Sequence, residues 1–201
     1  MVTDLDASQS YNSSGEFGFI YASPSANIRF GLEIMKPSDF KDVTVSSASG
    51  EALYNLTSQT SLLIPKVALE LQIKHWSFNR LFLEAGFGYA DLTERNSYTF
   101  TSGGTTAYSG LTDFTEELRG SALMYEGALG LEGLFSDMTT YTVQVGYRSL
   151  QFSEFKHNKD VTPLTGAAVA KGDVANTING VPRSLDLSNY FVGLSLRFWI
   201  R

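Results

Sequence analysis

Asn27-Ile28-Arg29-Phe30-Gly31-Leu32-Glu33-Ile34-Met35 decides the fold class. In an extended chain Ile28, Phe30, Leu32 and Ile34 fall on one side, while Asn27, Arg29, Gly31 and Glu33 fall on the other. A period of two with one greasy face marks a strand between an apolar and a polar environment. The same period returns in Lys66 to Lys74, where Val67, Leu69, Leu71 and Ile73 oppose Lys66, Ala68, Glu70, Gln72 and Lys74. It recurs in 81–90, in 123–132, in 141–148 and in 190–198, with a shorter run at Phe17, Phe19 and Tyr21. Strong helix formers never recur at a 3.6-residue spacing, and no stretch approaches the roughly 20 apolar residues of a membrane helix. The chain is therefore expected to be all-β, and any crossing of a membrane would use strands.

With 201 residues and no Pro/Ser-rich linker, residues 1–201 are expected to form one domain. The net charge of -6 and scattered Lys and Arg give no basic stripe, which argues against nucleic acid as a partner. There is no Cys, and His75 and His157 are the two histidines, so no metal or cofactor site is expected. No positive segment followed by an apolar one opens the chain; export would require a signal peptide already removed.

Connections alternate in length. Ser23 to Ala26, His75 to Arg80 and Ser136 to Thr139 are short, whereas Lys36 to Thr60, Thr93 to Gly120 and Ser153 to Leu187 are long. A closed barrel with both termini at the short-turn end needs an even number of strands. An eighth is therefore placed within Val2 to Tyr11, with Leu5, Ala7 and Tyr11 on its apolar face and Asn12 to Gly15 as its turn. Val43 and Val45 before Ser49-Gly50, and Tyr98 and Phe100 before Gly103-Gly104, read as hairpins that extend the wall. Thr165 to Gly180 reads as mobile coil.

Alternation does not say which face meets water. The polar face is sparse in charge and carries Gly18, Gly31, Gly86, Gly88, Gly130, Gly146 and Gly193, which suits the crowded inside of a narrow barrel. On the apolar face Tyr21, Phe135, Tyr141 and Phe198 sit near the short turns with Trp76, and Tyr89, Tyr125, Tyr147 and Tyr190 near the long loops. Two aromatic belts around an aliphatic band match a membrane barrel. Pro65, in line with Leu63 and Val67, lacks a ladder donor and is expected at a bulge or at the upper limit of regular pairing.

The stretch Tyr190-Phe191-Val192-Gly193-Leu194-Ser195-Leu196-Arg197-Phe198 resembles the C-terminal strand of outer membrane barrels. In size, strand pattern and loop alternation the whole chain is similar to the eight-stranded OmpA-like, OmpX-like and OmpW-like barrels. The resemblance implies a transmembrane antiparallel up-and-down barrel of eight strands in a Gram-negative outer membrane. It implies outer membrane lipids, lipopolysaccharide and the barrel assembly machinery as partners, with Tyr190, Val192, Leu194, Leu196 and Phe198 as the assembly signal.

The lumen of such a barrel is just filled by side chains, so Arg29, Glu33, Lys66, Glu70, Lys74, Glu84, Glu126, Glu132, Arg148 and Arg197 are expected to pair in a plug. Structural filling is preferred over a gate. Ser153, Glu154 and His157 could supply nucleophile, acid and base of a lipid-modifying enzyme, yet a solvated loop is the better reading. Loop aromatics Tyr54, Tyr98, Tyr108, Phe114 and Phe155 are either binding anchors or packing, with packing preferred. The expected role is non-enzymatic, structural or adhesive, presenting three long loops to an unknown protein or cell. A narrow channel for small or apolar solutes is the alternative, followed by the lipid-modifying enzyme and a soluble lipocalin-like carrier.

Overall fold

The computed structural model describes residues 13–37, 39–177 and 179–199. Its strands are β1 (Ser13–Ala22), β2 (Ala26–Lys36), β3 (Phe40–Ser46), β4 (Ala52–His75), β5 (Asn79–Phe100), β6 (Phe114–Ser136), β7 (Thr139–Phe152), β8 (Lys156–His157), β9 (Leu185–Asp186) and β10 (Asn189–Phe198), with one short helix, α1 (Ser102–Ala107). The protein is all-β. One antiparallel sheet runs β1-β2-β4-β5-β6-β7-β10, with β3 added to β4, β8 to β6 and β9 to β7. Among the described residues this path is open, with β1 and β10 at its ends, and it is not an eight-stranded closed barrel. The strand expected within Val2 to Tyr11 lies outside the described residues. Its expected turn is corrected in part: Ser13, Ser14 and Gly15 are paired strand, opposite Lys36, Met35 and Ile34.

The sheet curls strongly. Strands β2 and β7 are four positions apart along the path, which on a flat sheet is about 19 Å. Yet Arg148 Nη2 on β7 lies 2.8 Å from Glu33 Oε2 on β2. Arg197 Nη1 on β10 similarly lies 3.0 Å from Glu70 Oε2 on β4. Glycines on the inner face make room for this. The ring of Phe82 lies over Gly130, where a Cβ would collide with it, and the side chain of Glu126 fills the space over Gly86 in the same way.

Strands β4, β5 and β6 have 24, 22 and 23 residues, about twice the length of β1, β2 and β10. Their upper parts, with β3, continue the wall beyond the long-loop end of the other strands. Val43 to Val45 does form a hairpin with β4, closed by Gly50 at φ 85°. At Gly103-Gly104 the structure places α1 instead of a tight turn. Thr101 caps it, its hydroxyl accepting from Gly104 N at 3.2 Å.

Pro65 is neither a bulge nor an end. Pairing of β4 with β5 skips Ile64 and Pro65 between the Lys66/Gly88 and Leu63/Asp91 pairs and resumes without a register change. The missing N–H interrupts the β4–β5 ladder locally. The real irregularity is eight residues on, where a register shift falls between the pairs Gln72/Phe82 and Lys74/Leu81.

Residues 165–177, 179 and 180 are not simple coil. The bridges Lys156/Val174, Val161/Val169 and Asn176/Pro182 fold the third connection onto itself, and Phe155, Ala175 and Leu187 are buried in the main apolar cluster.

Candidate functional site

Alternation along the curled sheet aims charged side chains from several strands at one space. Lys66 Nζ on β4 lies 2.8 Å from Glu16, 2.9 Å from Glu33 and 2.9 Å from Glu126. Arg148 bridges Glu33 and Glu126 at 2.8 and 2.9 Å, and Arg29 reaches Glu84 at 2.6 Å and Glu16 at 3.5 Å. Nearer the short turns, Glu70 and Glu132 share Arg80 and Arg197. Asn27 donates to Glu70 at 3.1 Å and Thr140 to Glu132 at 2.6 Å. The two guanidinium groups of that lower cluster lie 5.1 and 5.4 Å from the ring centre of Phe82. Taken from water, such ions must compensate one another, and each carboxylate here has a base within ion-pair distance.

The structure thus brings together Arg29, Glu33, Lys66, Glu70, Glu84, Glu126, Glu132, Arg148 and Arg197. It leaves out Lys74. The irregularity after Gln72 turns that side chain to the surface, where its ammonium sits 5.2 Å from the Trp76 ring. Two members escape the sequence pattern. Glu16 precedes the recognisable Phe17-Phe19-Tyr21 run, and Arg80 lies beside a short turn; a full extension of either strand by one or two residues would have found them.

Beyond the ions, toward the long loops, the same inner face becomes apolar. Met35, Leu62, Ile64, Leu92, Leu118, Met124 and Leu150 form a buried layer covered by Phe155, Ala175 and Leu187 of the third connection. At the opposite, short-turn end a cavity of about 340 Å³ reaches Asn27, Gln72, Arg80, Glu132, Thr140 and Trp199.

The outer face is divided just as sharply. On β4 the outward residues run Asn55, Thr57, Gln59, Ser61 and then Leu63, Val67, Leu69, Leu71; on β5 they run Arg95, Thr93, Asp91 and then Tyr89, Phe87, Leu83. On β6 Arg119 and Ser121 give way to Leu123, Tyr125 and Leu129. Ladder partners Leu63/Asp91 and Asp91/Ser121 place these changes at one level across three strands. Below that level Val67, Leu83, Phe87 and Leu129 are each between 43 and 49% exposed. Tyr190, Val192, Leu194, Leu196 and Phe198 lie on this exposed face of β10, and the chain continues along it, Trp199 N donating to Met138 O at 2.9 Å.

A second polar cluster lies above the line. Glu116 on β6 is buried and accepts at Oε2 from Arg183 at 2.8 Å and from the Tyr98 hydroxyl at 3.4 Å. His157 Nδ1 lies 3.7 Å from Glu116 Oε1. Burial pushes the Glu94 carboxyl up, and burial with the Glu116 charge raises the Tyr98 phenol. His157 thus sits with Glu116 in the interior, whereas Glu154 is half exposed and 3.4 Å from Lys156, so Ser153, Glu154 and His157 do not assemble as a triad. Tyr54 and Tyr98 are buried in one aromatic cluster with Phe100, Tyr108 and Phe114, and Phe155 is buried in the other, so these side chains pack and are not surface anchors.

Compared with known proteins, the chain matches no family model, no curated protein and no solved structure.

Proposed function

We propose that this chain is a transmembrane barrel of the Gram-negative outer membrane type, closed by a strand within Val2 to Tyr11, with a blocked lumen and a structural or loop-presenting role. The observation that carries the proposal is the polarity line on the outer face. A wall standing in water has no reason to change from Thr, Gln and Arg to Leu, Val and Phe at one level across three neighbouring strands, whereas an apolar slab bounded by headgroups requires it. The inner face supports the same reading, since charges fill it where the outside is apolar. A soluble carrier of the lipocalin type would have those faces exchanged.

Closure has a topological argument. Seven consecutive antiparallel strands leave β1 and β10 running the same way, so the two cannot pair antiparallel with each other. One strand running from the short-turn end toward Ser13 would satisfy both edges, and lipid tolerates no open edge. The lower charge cluster, the upper one and the apolar layer stand in series, which favours a plug over a channel and leaves the three long connections as the exposed surface. Outer membrane lipids, lipopolysaccharide and the assembly machinery are the partners this reading proposes, without enzymatic activity.

Refolding from urea tests the proposal. The chain is expected to gain β-structure only with detergent or lipid, to migrate anomalously on an unheated gel, and to give no steady conductance in planar bilayers. A soluble folded monomer in plain buffer would overturn it.

A further inference from the structure

The ion cluster on the inner face is one base short. Among the described residues six carboxylates meet there, those of Glu16, Glu33, Glu70, Glu84, Glu126 and Glu132, against five bases, Arg29, Lys66, Arg80, Arg148 and Arg197. Residues 1–12 carry Asp4 and Asp6 and no Lys or Arg, so their side chains bring no further base. A surplus negative charge taken out of water is costly, and a group in that position gives up its charge rather than keep it uncompensated.

The geometry shows where the surplus falls. Glu33 and Glu126 each meet Lys66 and Arg148, and Glu70 and Glu132 each meet Arg80 and Arg197. Glu16, partly open to solvent, meets Lys66 and Arg29. Glu84 has Arg29 alone, 2.6 Å from Oε1, and that guanidinium is shared with Glu16 at 3.5 Å and Glu126 at 3.9 Å. Glu84 Oε2 has no hydrogen-bond partner among the described residues, and the side chain is sealed from solvent. The ladder sets Glu70 of β4 directly opposite Glu84, while Glu126 of β6 stands opposite Gly86, the next inward position on β5. Like charges facing each other across a strand pair repel. We propose that the inner face binds one proton, held by Glu84 on Oε2, which leaves five carboxylates against five bases.

The proton costs the network no contact. A neutral Glu84 still accepts from Arg29 through Oε1, and Oε2 becomes a hydroxyl, which is far less costly to bury unpaired than a charged oxygen. Arg29, no longer held by a full charge at Glu84, is then left to compensate Glu16 and Glu126. Among the described residues no three carboxyl or imidazole groups converge closely enough to hold a metal ion, which favours a proton as the neutralising cation. The proposal concerns the inner face alone, so it stands or falls apart from the membrane proposal.

The test is infrared spectroscopy of the full chain, in whichever medium it folds, at about pH 6, where ordinary carboxyls are ionised. The folded chain is expected to show the carbonyl band of one protonated carboxyl, and Glu84→Gln is expected to remove it. Urea unfolding supplies an independent reading. Glutamine matches a protonated glutamate in shape and charge, so the midpoint of Glu84→Gln is expected to equal that of the unmodified chain. Glu33→Gln, which strips an ionised partner from Lys66 and Arg148, is expected to unfold at lower urea. A folded chain without the band overturns the proposal, whether or not sodium or potassium then raises the midpoint. So does a band that survives in Glu84→Gln, or a Glu84→Gln chain that fails to fold or unfolds as early as Glu33→Gln.

Discussion

The lower and upper halves of β4, β5 and β6 are opposite solutions built on the same backbone. Below the Leu63/Asp91/Ser121 level the outside is apolar, and the inside is ionic once past the apolar layer that holds Ile64 and Met124. Above it the inside holds Tyr54, Leu56 and Tyr98, and the outside shows Thr, Gln and Arg. Tyr98 and Phe114 stack at 4.5 Å there, as in an ordinary water-soluble β-sheet. Inward and outward burial keeps alternating through the change and β5 stays in register with β6, so the strands do not end where the polarity changes. The hydrophobic effect alone would have kept the apolar face inward throughout. The inversion supports the proposed change of surroundings along the strand, and under that proposal each half should respond to mutation by its own rules.

The largest contrast should come from the interior. Lys66→Ala leaves Glu16, Glu33 and Glu126 without the ammonium they share, and a loss of about 3–5 kcal/mol is expected for a buried ion network missing one member. Urea unfolding in phospholipid vesicles would measure it; a loss below about 1 kcal/mol would mean that water reaches the cluster. Next comes the outer face. Leu129→Arg, in the middle of the apolar band, should cost about 2–4 kcal/mol, whereas Thr93→Arg on the same face above the line should stay within about 0.5 kcal/mol. Equal costs would erase the line and the membrane proposal with it. The smallest effect belongs to the line itself. Arg119 and Asp91 pair there in the open, and Arg119→Ala should cost less than about 1 kcal/mol. Hydrogen bonds from Arg119, and then its charge, hold the Asp91 carboxyl below its ordinary range. That small contribution should therefore be complete above about pH 4 and fade as pH falls through the depressed range, which vesicle unfolding at several pH values would detect.

How much of this was legible in the sequence follows from the same contrast. Alternation is readable wherever one face is apolar and the other is not, so Asn27 to Met35 and the residues around Glu126 announce both the strand and the direction of its charges. In Leu62-Leu63-Ile64 both faces are apolar, no alternation remains, and the inner layer of Leu62, Ile64, Leu92 and Leu150 went unseen. Lys74 was misplaced because one backbone irregularity, carried by no special residue type, turns a strand end over. Arg80 and Glu16 were missed at strand ends, where a period of two has too few repeats to count. The third connection reads as coil because its order comes from isolated bridges and three buried side chains, contacts set by where the chain returns in space.

The two open edges of the sheet have a consequence for assembly in time. Strands β1 and β10 sit at opposite ends of the path and near opposite ends of the described chain. Every other neighbouring pair along the path is joined by a local hairpin or by a longer loop within one part of the sequence, and can form as soon as its two strands exist. In the closed barrel proposed above, the seam between these edges would have the greatest separation along the chain, so its loop-closure entropy would be met last. On that proposal the half-finished state is a curled sheet with two unsatisfied rims, each a template for pairing with another chain until the seam is made.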